Sequence, residues 1–369
     1  MTPSSTLQDH LDSPDITLGE HMRRRHMDLA TAMRTRRAYY LDIKYWIIIR
    51  DVVVGIRTTE PEIALLRTLR SHVAAGKAFC PISESTFAEL FKQRDPKTRQ
   101  ATAMLIDELG LGVSIVPFEE RVMAEIRAFI YRHFRNFGIS EQDFLPWTKL
   151  CYVLGQMHPY NTCFDSATQL AIQKAFSDHL WTISLSEMVA KIGENPMPPD
   201  RSERLARELN DGNAKHAGDL RSFQQTYAIE AQGAASVYAS MAVEIFSGLI
   251  GRMAGVTSSF STNEEMTRMW TRLLVAALTK DKLKSSLPSL HIHTCLHASL
   301  RWNKSQQFKP NDFEDFRHAC AALAYCDIFL TERPLKSMVS ANHISLDRLY
   351  NCKVGATVQD ALSLLQDPA

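Results

Sequence analysis

The stretch NDFEDFRHACAALAYCDIFLTER, residues 311–333, contains in order an acid-led, alanine-rich helical run, a short β-branched and aromatic run, and a Thr-acid pair before Pro334. CDIFLT (326–331) is a strand by this pattern, and a second strand signal, CKVGAT (352–357), follows it with helical sequence between. Working outward, the same grammar recurs near the other end of the chain. AYYLDIKYWI (38–47) reads as a buried strand passing into a helix, with Asp42 near the strand's end. EIALLRTLRSHVAAGK (62–77) is a helix stopped at Gly76, and KAFCPIS (77–83) is a strand whose Ser83 suits the N-cap of STFAELFKQ. DPKTRQATAMLIDELG (95–110) is a further capped helix, and GVSIVPF (112–118) a third strand.

Strands alternating with helices predict an α/β fold in which helices cover both faces of a parallel sheet. From Glu119 to about Ala298 only helical periodicity is read, and no fixed repeat supports a solenoid. The expected layout is a tail and basic helix over 1–37, a first α/β part over 38–118, an all-helical insertion over 119–287, and a second α/β part over 288–369. A sheet can resume after such an insertion because loops tolerate long excursions whose ends lie close.

Composition narrows the function classes. The chain has 369 residues, 45% hydrophobic and 22% charged, with 42 Lys plus Arg against 41 Asp plus Glu, a formal charge of +1. This is the composition of an ordinary globular protein, and it creates no global basic field, so any nucleic-acid contact must come from local patches. HMRRRHMDLATAMRTRR (21–37), with six arginines, is one such patch, either a solvated helix face or a phosphate-contacting arm. Seven scattered cysteines without a CxxC pair predict neither a disulfide framework nor a zinc ribbon, and point to a reducing cytoplasm. The start MTPSSTLQDHLDSPD lacks an export pattern, and the apolar stretch Trp46–Ile56 is interrupted by Arg50 and Asp51, so no membrane insertion is expected.

Acids stand at or beside strand ends in four places: Asp42, Glu84 with Glu89, Asp312 with Asp315, and Glu332. The carboxyl edge of an open parallel sheet is where ligands bind, so these acids are expected to converge. Convergent carboxylates repel unless cations neutralise them, and hard oxygen donors suit Mg²⁺ or Mn²⁺. Asp312, Asp315 and His318 recur every three residues along one helix face. Asp312 is best read as a cap, whereas His318 either packs beside the sheet or contacts a phosphate and shuttles a proton. Glu84 favours the helix dipole in the first turn; Glu89, one turn further, is the candidate ligand.

The order and wording of these segments resemble the PIN-domain nucleases, over roughly residues 38–118 and 288–360. Three features carry the resemblance: the strand ending in Asp42, the strand, Ser and helix of PISESTFAEL, and the 311–333 stretch. It implies a three-layer α/β/α fold, with Asp42, Glu89 and Asp315 as direct metal ligands, Glu332 as the fourth acid, and Thr331 supporting that turn. It also implies a Mg²⁺- or Mn²⁺-dependent endonuclease cutting RNA rather than DNA, with toxin or defence effector as the cellular role. Lys44 stands where many relatives have Asn, and Glu332 is longer than the usual Asp. Those departures suit a second reading, a catalytically inactive PIN-like scaffold whose insertion binds protein partners.

The remaining motifs carry less. HIHTCLH (291–297) has the spacing of a helical zinc pair at His293 and His297, but no HExxH accompanies it and the segment reads as a packed helix. There is no GxGxxG, P-loop lysine or GxSxG. Trp147, Tyr152, Trp181 and Trp270 sit among leucines at helical spacing and are read as core. Arg201, Arg204 and Arg207 share a helix face that reads as salt-bridged and solvated, beside the alternative of a phosphate stripe. The insertion is expected to shape the substrate site, or to mediate a homodimer or bind an inhibitory protein.

Overall fold

A computed structural model describes residues 3–133, 146–193, 201–216, 218, 220–254 and 264–366. Its centre is a four-stranded parallel sheet in the order β2-β1-β5-β6, built from β1 (Arg37–Leu41), β2 (Ala78–Phe79), β5 (Ile328–Leu330) and β6 (Lys353–Gly355). The strands are short, and every pairing is parallel, with Tyr40 opposite Phe329 and Phe329 opposite Val354. The sheet expected from the two ends of the sequence therefore forms across a gap of nearly the whole chain.

Alternation along the strands sends side chains into two separate cores. Tyr39, Leu41, Ala78, Ile328 and Leu330 pack with Tyr45, Trp46, Leu65, Leu69 and Ile106, which belong to the helices Ile43–Val53, Glu60–Ala74 and Pro96–Gly110. Ala38, Tyr40, Phe79 and Phe329 face the opposite way, toward the helices Phe118–His133, Pro288–Trp302 and Asp312–Tyr325. A sheet buried on both faces needs apolar residues at successive positions, which is what the run Ala38–Leu41 supplies.

The second core also contains Ala235, Val243, Trp270 and Leu274. These belong to the helices Phe223–Ala254 and Glu264–Thr279, inside the expected insertion. The helical middle thus completes one layer of the sheet's own core. A buried polar set fastens it: Arg121 donates to Ser289 Oγ (2.9 Å), Ser289 N donates to Glu125 Oε1 (3.1 Å), and the Tyr325 hydroxyl donates to Glu125. Phe223–Gly251 is long and apolar enough to cross a membrane by length and composition, unlike the interrupted Trp46–Ile56. Here Ala231, Ala235, Ala239 and Ala242 are buried, and small residues on one face let its neighbouring helices approach closely.

Three expectations fail. GVSIVPF does form a strand, β3 (Val113–Ile115), but it pairs antiparallel with β4 (Trp147–Lys149), outside the main sheet, with a single parallel bridge from Ser114 to Ile82. Accordingly PWTKL is strand followed by a single 3-10 turn, not helix. The tail 1–20 is not loose either: Pro3–Leu11 is a helix, and the basic helix runs Leu18–Met33 with Thr17 as its N-cap.

What orders that N-terminal region is a carboxylate on the helix Ser166–Leu180. Asp178 accepts from His10 Nε2 (2.8 Å), His21 Nε2 (2.9 Å) and Arg25 Nε (3.0 Å), and Lys174 Nζ donates to the carbonyls of Ser13 and Ile16. Arg25, one of the arginines read as a solvated helix face or a phosphate-contacting arm, is thereby committed to the fold. Burial alone would raise the Asp178 carboxyl, but the donors from His21, His10 and Arg25 outweigh it and hold it well below the usual carboxylate range. A depressed folded-state value means that this clasp stabilises fully above the ordinary Asp pKa of about 4 and fades as the pH falls below it. Asp178→Ala is expected to cost about 2 kcal/mol at neutral pH and almost nothing near the acid limit. Denaturant titrations at two pH values check this; a penalty that does not shrink on acidification contradicts the assignment.

Candidate metal centre

The carboxyl edge of the sheet lies where β1 ends and the helix Ile43–Val53 begins. Asp42 occupies the junction as N-cap: its backbone N–H donates to Leu330 O (3.0 Å), and its Oδ1 accepts weakly from Lys44 N–H at 3.3 Å. Its Oδ2 accepts from the Thr331 hydroxyl at 3.0 Å, so the turn after β5 holds the acid at the end of β1. Asp42 is 4% exposed. A buried carboxylate with two weak-to-ordinary donors still has acceptor capacity to offer a cation.

Glu89 arrives on the helix Glu84–Lys92, which follows β2. Ser83 is the N-cap residue, as expected, but its hydroxyl makes no capping bond and instead meets the Tyr40 hydroxyl at 2.5 Å, with Thr86 Oγ1 at 3.2 Å from the same oxygen. Tyr40 also contacts His318 Nδ1 at 2.6 Å, and His318 Nε2 lies 2.9 Å from Glu89 Oε2. A continuous chain of polar contacts therefore runs Ser83, Tyr40, His318, Glu89. It fixes the second acid from behind.

Asp315 and His318 come from the helix Asp312–Tyr325. The Asp315 carboxyl is pushed up to about 7, first by burial and then by the negative charges of Asp42, Glu89 and Asp312, which His318 only partly offsets. Carboxylate oxygens of Asp42 and Glu89 and a ring nitrogen of His318 lie within 4.8 Å of one another. Three segments far apart in sequence thus bring Asp42, Glu89 and His318 together, with Asp315 one helical turn before His318.

His318 takes a different part from a phosphate contact. It is fully buried, and both ring nitrogens face protein partners. Burial disfavours its charged form, yet Tyr40, Glu89 and Asp42 together hold its pKa well above the usual histidine value. As an imidazolium it donates to both neighbours, and its function in this geometry is to orient Glu89. Glu332 is also displaced from the expected set. It is exposed at the N-cap of the helix Arg333–Val339 and lines a separate hollow of about 460 Å³ with Lys44, Tyr45, Arg57 and Thr357. The residue that reaches Asp42 from this turn is Thr331.

Other candidates resolve as structure. Asp312 begins its helix and accepts from Lys309 N–H (2.7 Å), and Glu84 Oε1 accepts from Phe118 N–H (3.0 Å), at the start of the next helix. In the helix Pro288–Trp302, His291 bonds the Tyr350 hydroxyl (2.8 Å) and approaches Cys295 Sγ (3.4 Å). His293 and His297 stack with ring centroids 4.3 Å apart, and burial depresses both. They do not join either of the two converging ligand groups found among the described residues. The other such group is His10, His21 and Asp178, where Arg25 already supplies the positive charge. Among the expected arginine stripe, Arg204 pairs with Glu208. Sequence reading missed Tyr40, since an aromatic residue inside a strand carries no mark of a polar role; the hydroxyl-rich run Ser83, Ser85, Thr86 was the available signal.

No protein-family model, curated protein or solved structure matches this chain.

Proposed function

We propose that this protein is a divalent-metal-dependent phosphodiester hydrolase, an endoribonuclease of the PIN-like type using Mg²⁺ or Mn²⁺. The observation that carries the reading is the convergence of Asp42, Glu89 and His318 within 4.8 Å at the carboxyl edge of the parallel sheet, with Asp315 near enough to feel the charges of both acids. The chemistry of this donor set fits such an ion. The carboxylates are hard oxygen ligands, and the elevated Asp315 carboxyl reports negative charge that a cation would neutralise.

Asp42, Glu89 and Asp315 would hold the ion, which supplies Lewis-acid polarisation of the phosphate and acidification of the attacking water. Thr331 fixes Asp42, and His318, backed by Tyr40, fixes Glu89. The buried Tyr40, His318 and Thr331 keep bulk water from the groups that position Asp42 and Glu89. RNA rather than DNA as the substrate follows the PIN resemblance alone.

The position of Glu332 favours a second reading, a PIN-like scaffold that holds metal weakly and cuts nothing. One assay separates the two: purified protein incubated with structured RNA, single-stranded DNA and duplex DNA, in Mn²⁺ and in EDTA. Cleavage of RNA in Mn²⁺ that EDTA abolishes is expected. No cleavage of any substrate in Mn²⁺ selects the scaffold, and cleavage undiminished in EDTA rejects the metal mechanism.

A further inference from the structure

One helical turn beyond Glu89, the helix Glu84–Lys92 ends at the mouth of a hollow of about 1170 Å³, formed with the helices Pro96–Gly110 and Leu185–Ile192. Lys92, Arg94, Lys97 and Arg99 line it, and among the described residues no carboxylate does. In a chain with net charge of only +1 this is a marked local excess. The nearest acid in sequence, Asp95, is committed to capping Thr98 N–H at 2.8 Å.

Two donors in the wall lack acceptors among the described residues. Arg99 is 7% exposed; its terminal nitrogens donate to the carbonyls of Gln93 and Gly193, while its Nε is buried without a partner. Gln93 Oε1 accepts from Arg50 Nη1 (3.2 Å) and Thr102 Oγ1 (3.3 Å), which fixes the amide orientation and leaves its buried Nε2 without a partner. Buried N–H groups left unpaired are unfavourable, and an anionic oxygen entering the hollow offers them an acceptor. The wall itself is rigid. Asp107 accepts from the N–H groups of Leu185 (2.7 Å) and Ser186 (2.9 Å), and Gln100 donates to Ser186 O (3.2 Å), locking the helices Pro96–Gly110 and Leu185–Ile192 together. The 60% exposed Met104 adds apolar surface beside the cations.

Basic side chains and unpaired donors beside apolar surface are what a single-stranded polynucleotide requires, its phosphates taking the first two and its bases the last. Glu89 and Lys92 lie three residues apart on the same helix, which places the hollow one helical turn from the acid cluster. We infer that this hollow, built around Arg94, Lys97, Arg99 and Gln93, binds the phosphates of the single-stranded substrate flanking the cut site, an inference that rests on the hydrolase reading.

The test uses the full chain in EDTA with a fluorescein-labelled single-stranded RNA of about 12 nucleotides, a length that spans a groove of this kind, followed by anisotropy over a salt series. Arg94→Glu with Lys97→Glu is expected to weaken binding at least tenfold. It should also flatten the slope of log affinity against log salt by about 1.4, at roughly 0.7 per lost phosphate contact. Arg94→Lys with Lys97→Arg should bind as wild type does. Both positions are exposed, and melting curves verify folding; if the reversal perturbs them, Lys97→Gln is read instead. Equal affinity of wild type and reversed-charge protein overturns the inference even where wild type cleaves RNA in Mn²⁺. Polyglutamate binding as tightly as the RNA, and lost in the same variant, overturns it in favour of an acidic protein partner. A wild type that binds RNA through these residues yet cleaves nothing in Mn²⁺ supports the strand site and rejects the hydrolase reading.

Discussion

Asp315→Asn is expected to abolish Mn²⁺-dependent cleavage, lowering the rate by about 10³-fold or more, without destabilising the protein in the absence of metal. The rate effect follows from losing a charged ligand: Lewis-acid stabilisation worth about 4 kcal/mol corresponds to three powers of ten. The stability effect has the opposite expectation because of where the group sits. Asp315 is partly buried beside Asp42 and Glu89, so an isosteric neutral amide relieves repulsion that no salt bridge to Asp315 offsets among the described residues. An ordinary structural acid would behave otherwise, since its removal costs stability. The metal-linked part of stability is a further readout. At 100 times its dissociation constant a bound ion adds about 2.7 kcal/mol, so Mn²⁺ should raise the melting temperature of wild type clearly and that of the variant little. Cleavage by the variant within about tenfold of wild type, or an unaltered Mn²⁺-induced shift in melting temperature, would remove Asp315 from the centre.

Much of the edge that carries this site was legible because its signals are local. Over 311–333 the helix Asp312–Tyr325, the strand Ile328–Leu330 and the Thr331 turn appear in the order read, since alanine-rich and β-branched runs differ within a few residues. Asp42 was legible for the same reason, standing where an apolar strand gives way to a helix. What was not legible depends on distant partners. Polar composition made residues 1–20 look unstructured, yet their helix is held by Asp178 from more than 150 positions away. That same contact takes Arg25 out of any phosphate arm, while the basic hollow arises in KQRDPKTR, which reads as nothing more than a capped helix start. Trp147–Lys149 failed differently: three residues are too short for a period-2 pattern to show, and the apolar spacing of PWTKLCYV mimics a helix. Glu332 was misjudged by order alone, since the residue after a strand end can point along the edge instead of into the crevice.

The chain from Ser83 through Tyr40 and His318 to Glu89 makes the last claim testable independently of cleavage. His318→Ala should lower Mn²⁺ affinity by about 10–100-fold, the usual consequence of removing a group that orients a metal ligand, and should cost about 3 kcal/mol of stability because a fully buried ring is deleted. Those two effects need not travel together, and separating them identifies the role. His318→Gln retains an N–H donor near the length of the imidazole, so it should recover much of the metal affinity while recovering less of the packing. Tyr40→Phe keeps the ring in the core beside Phe329 and removes only the hydroxyl shared by Ser83, Thr86 and His318. It should cost about 1 kcal/mol and weaken Mn²⁺ binding less than His318→Ala, since Glu89 keeps its direct partner. If His318→Ala loses stability but binds Mn²⁺ as wild type does, the ring merely fills the core and Glu89 is placed by its own helix. If metal affinity falls and glutamine restores it, the orientation of Glu89 is what the buried imidazolium provides.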